Sequence, residues 1–507
     1  MKTNLSRVYF LFTWLLIVSC MCLPPGFTIA SRPPTPTKPS IPTTIVEIHP
    51  TTIGEIQPTT IVEIQPTETP VPVAPSAPTS TPEVQNGQLY AQGPWLLIST
   101  NKGLWAINPD GTGLKELALH SLSTQKLQNA IQPNGNTLAV ITSGEEQLHQ
   151  LALNLVTLPD GKLAKITDLT SPKTELGPNS GPGDPGFEGA RAITERNSIA
   201  WSPDGRKLAF IGFMDGPAAN VYLYDTTTQN IKRVSQDMVN NNYDVSWSPD
   251  GQYILYFGAE MFGTGAGMEV KGVWTASSDG SKTSLLYKPT ASSGEELWGW
   301  LPHSHQALLS SWSPACGSNN LRLMDVNNGQ ISLLFKDCIY SVAISDQGDI
   351  LYGDKQNINL IKNGSNKAKP VILGQANQLL WSQDSFVFIV RYDDGQLMTY
   401  VDNQGEVYQQ KAPQSSSLSS VAAYGAIWAW SYYDEKKPGV WISGPGLETK
   451  QIYQNKAYAP AWNPHNNLLF FGENQIYYAS FPAYTDVNSV ATFEESVQEV
   501  KWMQWPE

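Results

Sequence analysis

Charge is scarce in this sequence. Only 15% of its 507 residues are Asp, Glu, Lys or Arg, against 41% apolar. That balance excludes a highly solvated, unfolded chain for most of the length. Cysteine is scarcer still, with four copies, two of them (Cys20 and Cys22) near the N-terminus. Any disulfide within the folded region is therefore confined to Cys316 and Cys338. The longest N-terminal apolar run, Val8 to Val18, falls short of the roughly 20 residues that a transmembrane helix needs. No G-x-S-x-G occurs, so the nucleophile elbow of a serine hydrolase is missing. Basic residues are outnumbered, 32 against 45, for a net charge of −13. An acidic surface repels phosphate backbones, which argues against nucleic acid as a partner.

What is present at the N-terminus reads as an export signal. Lys2 and Arg7 precede the apolar run, which ends at Ser19-Cys20. Ile17-Val18-Ser19-Cys20 resembles the bacterial lipobox, and the resemblance implies that residues 1–20 are a signal peptide with a lipobox-like end, whose Cys20 is lipidated and becomes the new N-terminus. Cleavage after Ala30 with full secretion, or an uncleaved anchor, are the alternatives. Residues 21–88 are Pro- and Thr-rich and include three eight-residue repeats at 42–49, 50–57 and 58–65, each opening Pro-Thr-Thr-Ile. Recurrent proline removes backbone donors and blocks helix and sheet alike. This segment is expected to be an extended, disordered stalk, reaching about 3.1 Å per residue where polyproline-like.

Residues 89–507 are repetitive. Trp201-Ser202-Pro203-Asp204-Gly205 and Trp247-Ser248-Pro249-Asp250-Gly251 each precede a nearly continuous apolar strand, Leu208-Ala209-Phe210 and Ile254-Leu255-Tyr256. Pro presets one turn position, Asp accepts local N–H groups, and Gly takes the left-handed conformation. The turn therefore predicts a hairpin, and the unbroken apolar strand predicts burial on both faces. Degraded copies recur at Pro133-Asn134-Gly135, Trp300-Leu301-Pro302, Ser345-Asp346-Gln347-Gly348, Trp381-Ser382-Gln383-Asp384 and Trp462-Asn463-Pro464, with a weaker one near Tyr424-Gly425. The spacing is mostly near forty residues, the period of four-stranded propeller blades. The first segment, from Trp95, lacks its first strand, and Val500 to Trp505 is a first strand without a blade. Joining them closes a ring and removes two sheet edges. The reading is an all-β propeller with nine blade-like segments, seven to nine blades being compatible.

On these residues the chain resembles the TolB-like and WD-repeat-like propellers. The resemblance implies protein or polymer binding, usually as a scaffold. Taken with the export signal, the expectation is a monomeric binding or scaffold protein for protein or cell-surface polymer, without a cofactor, lipid-anchored on the extracytoplasmic side of the membrane. It transfers no site residue, because the motif residues are turn residues. The alternative is a polysaccharide-active or hydrolytic propeller with its site in the central channel. Propellers that serve serine peptidases carry a hydrolase domain, normally after the propeller; here Glu507 follows just after the closing strand.

Other motifs read as structure. His303-Ser304-His305 offers two metal-ligand types, but stands where other repeats place their turn. Gly181-Pro182-Gly183-Asp184-Pro185-Gly186 matches G-x-G-x-x-G, but in a Pro-rich loop that is not expected to open a helix after a strand. Loop length carries more information. Numbering each blade's strands one to four, the connections two-to-three and blade-to-blade hold the insertions, at 170–197, 258–271, 289–296 and 432–439. Long loops on a rigid scaffold tend to bind. The candidate contacts on that face are Phe187, Glu188, Arg191, Met261, Phe262, Tyr432, Tyr433 and Lys436. Cys316 falls between strands two and three of its blade and Cys338 is placed just after strand four, so a disulfide there and two separate buried thiols both remain open.

Overall fold

The Pro-Asp-Gly turns are where sequence translates most directly into structure. In the computed structural model, Ser202 Oγ donates to Asp204 Oδ1 at 2.6 Å, and the same oxygen accepts from Arg206 N at 3.1 Å. Ser202 Oγ in turn accepts from Lys207 N at 2.9 Å, and Gly205 sits at φ +68°. The turn at Ser248–Asp250–Tyr253 repeats these bonds at 2.6, 3.0 and 3.0 Å, with Gly251 at φ +71°. The Ser202 hydroxyl is the main reason that the Asp204 carboxyl is held below the ordinary range.

The structure describes residues 88–503, except 122–126, 147, 178–179, 236–238, 262–267, 290–293, 377, 383–386, 391–396, 402–406, 412–415, 422–426, 433–437, 445–446 and 464. Cys20 and the 21–87 segment lie outside the described residues.

The described residues form eight four-stranded antiparallel sheets and one three-stranded sheet. Blade 1 combines Val497–Met503 with Trp95–Thr100, Gly103–Ile107 and Lys115–Leu119. Its register pairs Trp95 with Met503 and Ile98 with Val500, so the two ends of the folded region close one sheet as the orphan strands predict. The closing strand begins at Val497, three residues earlier than the apolar pattern shows. Blade 2 is the three-stranded sheet Thr137–Thr142, Ala152–Thr157, Lys162–Asp168. Its first strand shrinks to a single bridge, Ile131 to Leu138, preceded by the one-turn helix α1 (Leu127–Ala130). Blades 3 to 9 open with the first strands Ile199–Trp201, Asn241–Trp247, Glu295–Trp300, Ser341–Ile344, Gln378–Trp381, Ser416–Val421 and Tyr458–Trp462.

Successive first strands touch around the ring, with α1 filling the gap between Val497–Met503 and Ile199–Trp201. Tryptophan supplies part of the link. Trp201 Nε1 donates to Ala130 O at 2.9 Å, Trp247 Nε1 to Ala200 O at 3.0 Å, and Trp300 Nε1 to Ser246 Oγ at 2.8 Å. In each case the acceptor belongs to the residue just before the matching position in the preceding blade. The motif tryptophan therefore fills the space between blades and satisfies a polar group of its neighbour.

Second strands are buried as predicted: Leu208 to Ile211, Ile254 to Phe257 and Leu468 to Phe471 are all buried. Each such side chain contributes roughly 1.5–3 kcal/mol relative to exposure. Fourth strands face outward, as the mostly exposed Lys162–Asp168 and Ala368–Leu373 show.

Candidate binding face

Strand alternation gives the propeller two unlike faces. Turns one-to-two and three-to-four form one; connections two-to-three and blade-to-blade form the other. On the turn face, polar groups are spent on the turns themselves. Asp225 accepts from Thr227 N and Thr228 N at 2.9 Å each, and Asp279 accepts from Ser277, Ser281 N and Ser281 Oγ. The His303-Ser304-His305 segment is a turn: His303 is left-handed at φ +51°, and Leu301 N bonds Gln306 O as Ser202 N bonds Lys207 O. His305 Nδ1 lies 2.8 Å from Asp250 Oδ2, so this imidazole fastens the turn of blade 5 to that of blade 4. Among the described residues no group of three His, Cys, Asp or Glu side chains suits a metal ion.

The opposite face carries the longer connections. The 170–197 connection is not simply a loop: it holds helix α2 (Pro185–Thr194), which packs on strands Lys207–Gly212 and Asn241–Trp247. The expectation that 181–186 opens no helix is corrected. Asp184 caps α2, accepting from Gly186 N at 2.8 Å and Phe187 N at 3.4 Å, and Pro185 takes the first helical position. The glycine motif thus serves a helix start whose N–H groups meet protein carboxylates. Phe187, Glu188 and Arg191 come together here. Glu188 is buried; it accepts from Gly183 N at 2.8 Å and pairs with Arg191 at 3.3 Å. Arg191 also bonds Glu195 and stands 5.9 Å from the Phe187 ring centroid. Glu188 is therefore part of the helix's own framework.

The second insertion is also reshaped. Strands Tyr253–Met261 and Met268–Ser277 run through most of 258–271, extending a hairpin beyond the ring of turns. Met261 ends its first arm; Phe262 lies outside the described residues. Tyr432 ends strand Trp428–Tyr432 of blade 8, four blades further along the chain, so the described candidates do not all come from one part of the ring. Tyr433 and Lys436 lie outside the described residues. Cys316 and Cys338 are disulfide-bonded, with Cα atoms 5.7 Å apart. Cys316 sits at the strand two-to-three turn of blade 5. Cys338 lies within the fourth strand, Ile331–Ile339, and not after it, because that strand runs to nine residues.

The sequence reading did not single out the apolar residues that this face exposes. Trp312 is 53% exposed, Leu373 77%, Val239 85% and Leu119 53%. All four stand at loop-face strand ends or in a blade-to-blade connection. Trp312 had a signal, since Trp312-Ser313-Pro314 copies the start of the turn motif at the wrong end of a blade. Concavities lined by described residues open here. One, of about 640 Å³, lies beside Tyr458, Phe471 and the segment leading into the closing strand. Another, of about 1160 Å³, lies between the start of α2 and the 213–217 connection.

Among the described residues the first strands hold four carboxylates, and each is engaged. Asp244 pairs with Arg196 at 2.7 Å, Glu499 accepts from Leu127 N at 3.1 Å, and Glu296 accepts from Ser318 at 2.8 Å. Glu295 is buried against Arg322 and Ser311. Burial raises its carboxyl above the ordinary range despite the opposing pull of Arg322. Among the described residues no helix is long and apolar enough to cross a membrane.

Comparison with known proteins matches this geometry at the level of fold. A family model described as eukaryotic translation initiation factor eIF2A matches residues 191–260, the stretch that holds both complete Trp-Ser-Pro-Asp-Gly turns. A solved structure titled as the eukaryotic initiation factor is 13% identical, covers 81% of this chain and 98% of its own, and superposes with a TM-score of 0.50. TolB from Acinetobacter baumannii is 15% identical over 56% of this chain and 65% of its own, at a TM-score of 0.30. An oligogalacturonate lyase in complex with manganese is 14% identical over 56% of this chain and 88% of its own, at 0.36. No curated protein matches the chain in sequence. The chain is a β-propeller, similar in fold to the solved eukaryotic initiation factor.

Proposed function

We propose that this protein is an extracytoplasmic binding or scaffold protein, tethered through Cys20 and presenting its loop face to a protein or cell-surface polymer. One observation carries the reading: the two faces differ in kind. The turn face spends its polar groups on its own tight turns. The loop face carries a capped helix, an extended hairpin, the concavities and the exposed side chains of Trp312, Val239 and Leu373. Exposed apolar groups and concave surfaces each mark interaction sites. The Pro/Thr-rich segment supplies reach between the anchor and the propeller. Fractionation of cells expressing the full chain tests the tether: Cys20→Ala releases the protein from the membrane fraction. Cross-linking on intact cells, followed by purification, tests the binding role. Recovery of a reproducible envelope component supports it; recovery of the protein alone, at cross-linker doses that capture known envelope complexes, overturns it.

A further inference from the structure

We infer that the cleft between blade 9 and the closing strand is a saccharide-binding site for one or two pyranose units. The inference rests on the binding role proposed for the loop face and names its ligand class. The cleft holds about 640 Å³, within the range of about 300–1,000 Å³ typical of small-ligand sites. Its floor is aromatic. Tyr458 and Phe471 are cross-strand partners at the loop-face ends of the first two strands of blade 9, with ring centroids 5.9 Å apart and planes at 26°. Phe471 is buried and Tyr458 is half-buried, so the pair forms a supported platform. Lys456 Nζ stands 5.6 Å from the Tyr458 ring centroid and brings N–H donors to it. Around the rim are the exposed side chains of Asn455, Glu473 and Gln498, two amides and a carboxylate.

This chemistry fits a sugar better than the other ligand classes. A pyranose ring offers C–H groups on its faces and hydroxyl pairs around its edge. The half-buried Tyr458 ring, backed by the buried Phe471, meets the first, and planar amide and carboxylate groups bond the second two at a time. A peptide bound by strand addition needs an unpaired backbone edge. The backbone here is already used: Val497 N bonds Glu473 O at 2.9 Å, and Asn101 N bonds Ser496 O at 3.2 Å. Those bonds hold the cleft wall in place before any ligand arrives, which favours binding. A phosphate-bearing ligand meets Glu473 and a chain of net charge −13.

The test is titration calorimetry of the full exported chain with two hexasaccharides, a neutral β-glucan and its N-acetylated counterpart. Heat from both indicates recognition of ring faces and hydroxyls; heat from the N-acetylated probe alone indicates that the acetamido group is read by the rim amides. Glu473→Ala and Gln498→Ala each weaken binding about tenfold, the effect of losing one well-made hydrogen bond to a charged or bidentate group. Both side chains are exposed, so the fold is unaffected. Tyr458→Phe keeps the platform and stays within about twofold, whereas Tyr458→Ala weakens binding more than either rim change. No heat with either probe at millimolar concentration, or unchanged affinity in the Glu473→Ala/Gln498→Ala double variant, overturns the inference. The two readings fail separately. Envelope capture without sugar binding removes the saccharide site alone, and sugar binding without envelope capture removes the scaffold role alone.

Discussion

Replacing Trp247 by Phe tests how the blades are joined. Trp247 is 6% exposed, and its indole N–H meets Ala200 O of the preceding blade at 3.0 Å. Phenylalanine keeps most of the apolar ring but removes the donor. Losing this part-buried bond and leaving the carbonyl without its donor costs about 1–3 kcal/mol. The smaller ring leaves a void, at about 24 cal/mol per Å³ of unfilled space. Together these give a loss of about 2–4 kcal/mol. The unfolding entropy of a roughly 420-residue region is near 0.9 kcal/mol per kelvin, so the melting midpoint falls by about 2–5 °C. Trp312→Phe is the matched control. Trp312 is 53% exposed, and its replacement shifts the midpoint by under about 1 °C. Scanning calorimetry of the two variants beside the parent reads both numbers. A Trp247→Phe midpoint within error of the parent, or an equal drop in Trp312→Phe, refutes the claim that the motif tryptophan links one blade to the next.

Two further outcomes follow from local chemistry. Asp204 has its carboxyl held below the ordinary range by Ser202, with Arg206 N adding to the effect. Its contribution is therefore complete above about pH 4, where the unfolded group is ionised, and is lost as pH falls through the lower folded value. Asp204→Asn accordingly flattens the loss of stability as pH falls below about 4, measured as urea midpoints at each pH; an unchanged slope sinks this account of the turn. The Cys316–Cys338 bridge spans 22 residues, and closing a loop of that length contributes about 3 kcal/mol. Mass spectrometry before and after reduction, with a urea midpoint for the Cys316→Ser/Cys338→Ser variant, checks both its presence and its weight. Two free thiols in the exported protein remove the prediction.

The fold was legible because its signals are local. Pro203-Asp204-Gly205 specifies its turn within five residues, and Leu208 to Phe210 declare burial on both faces without reference to the rest of the chain. Ring closure was legible through a deficit, the missing first strand before Trp95. The segment before Thr137 was less so: a one-turn helix replaces most of its first strand, and no hydrophobic period announces Leu127–Ala130. Helix α2 was missed although Asp184-Pro185 is a cap followed by a helix start. The glycines at 181, 183 and 186 outweighed it as loop formers. The face was found by loop length, but its residues were not. Glu188 looks like an exposed contact in sequence, yet it is buried by the backbone of Gly183. Tyr458, Phe471 and Glu473 come from different strands and turns, and only tertiary packing sets them beside Gln498.

Recognition is proposed to belong to the loop face. Capture of envelope material by the full chain, compared between Trp312→Glu/Leu373→Glu and Phe481→Glu, tests it most directly. Trp312 and Leu373 stand on the loop face, and Phe481, 46% exposed, stands on the turn face. The account predicts that the first variant loses at least about tenfold in capture, as hot-spot truncations do, while the second stays within about twofold. Capture lost in Phe481→Glu and kept in Trp312→Glu/Leu373→Glu contradicts it.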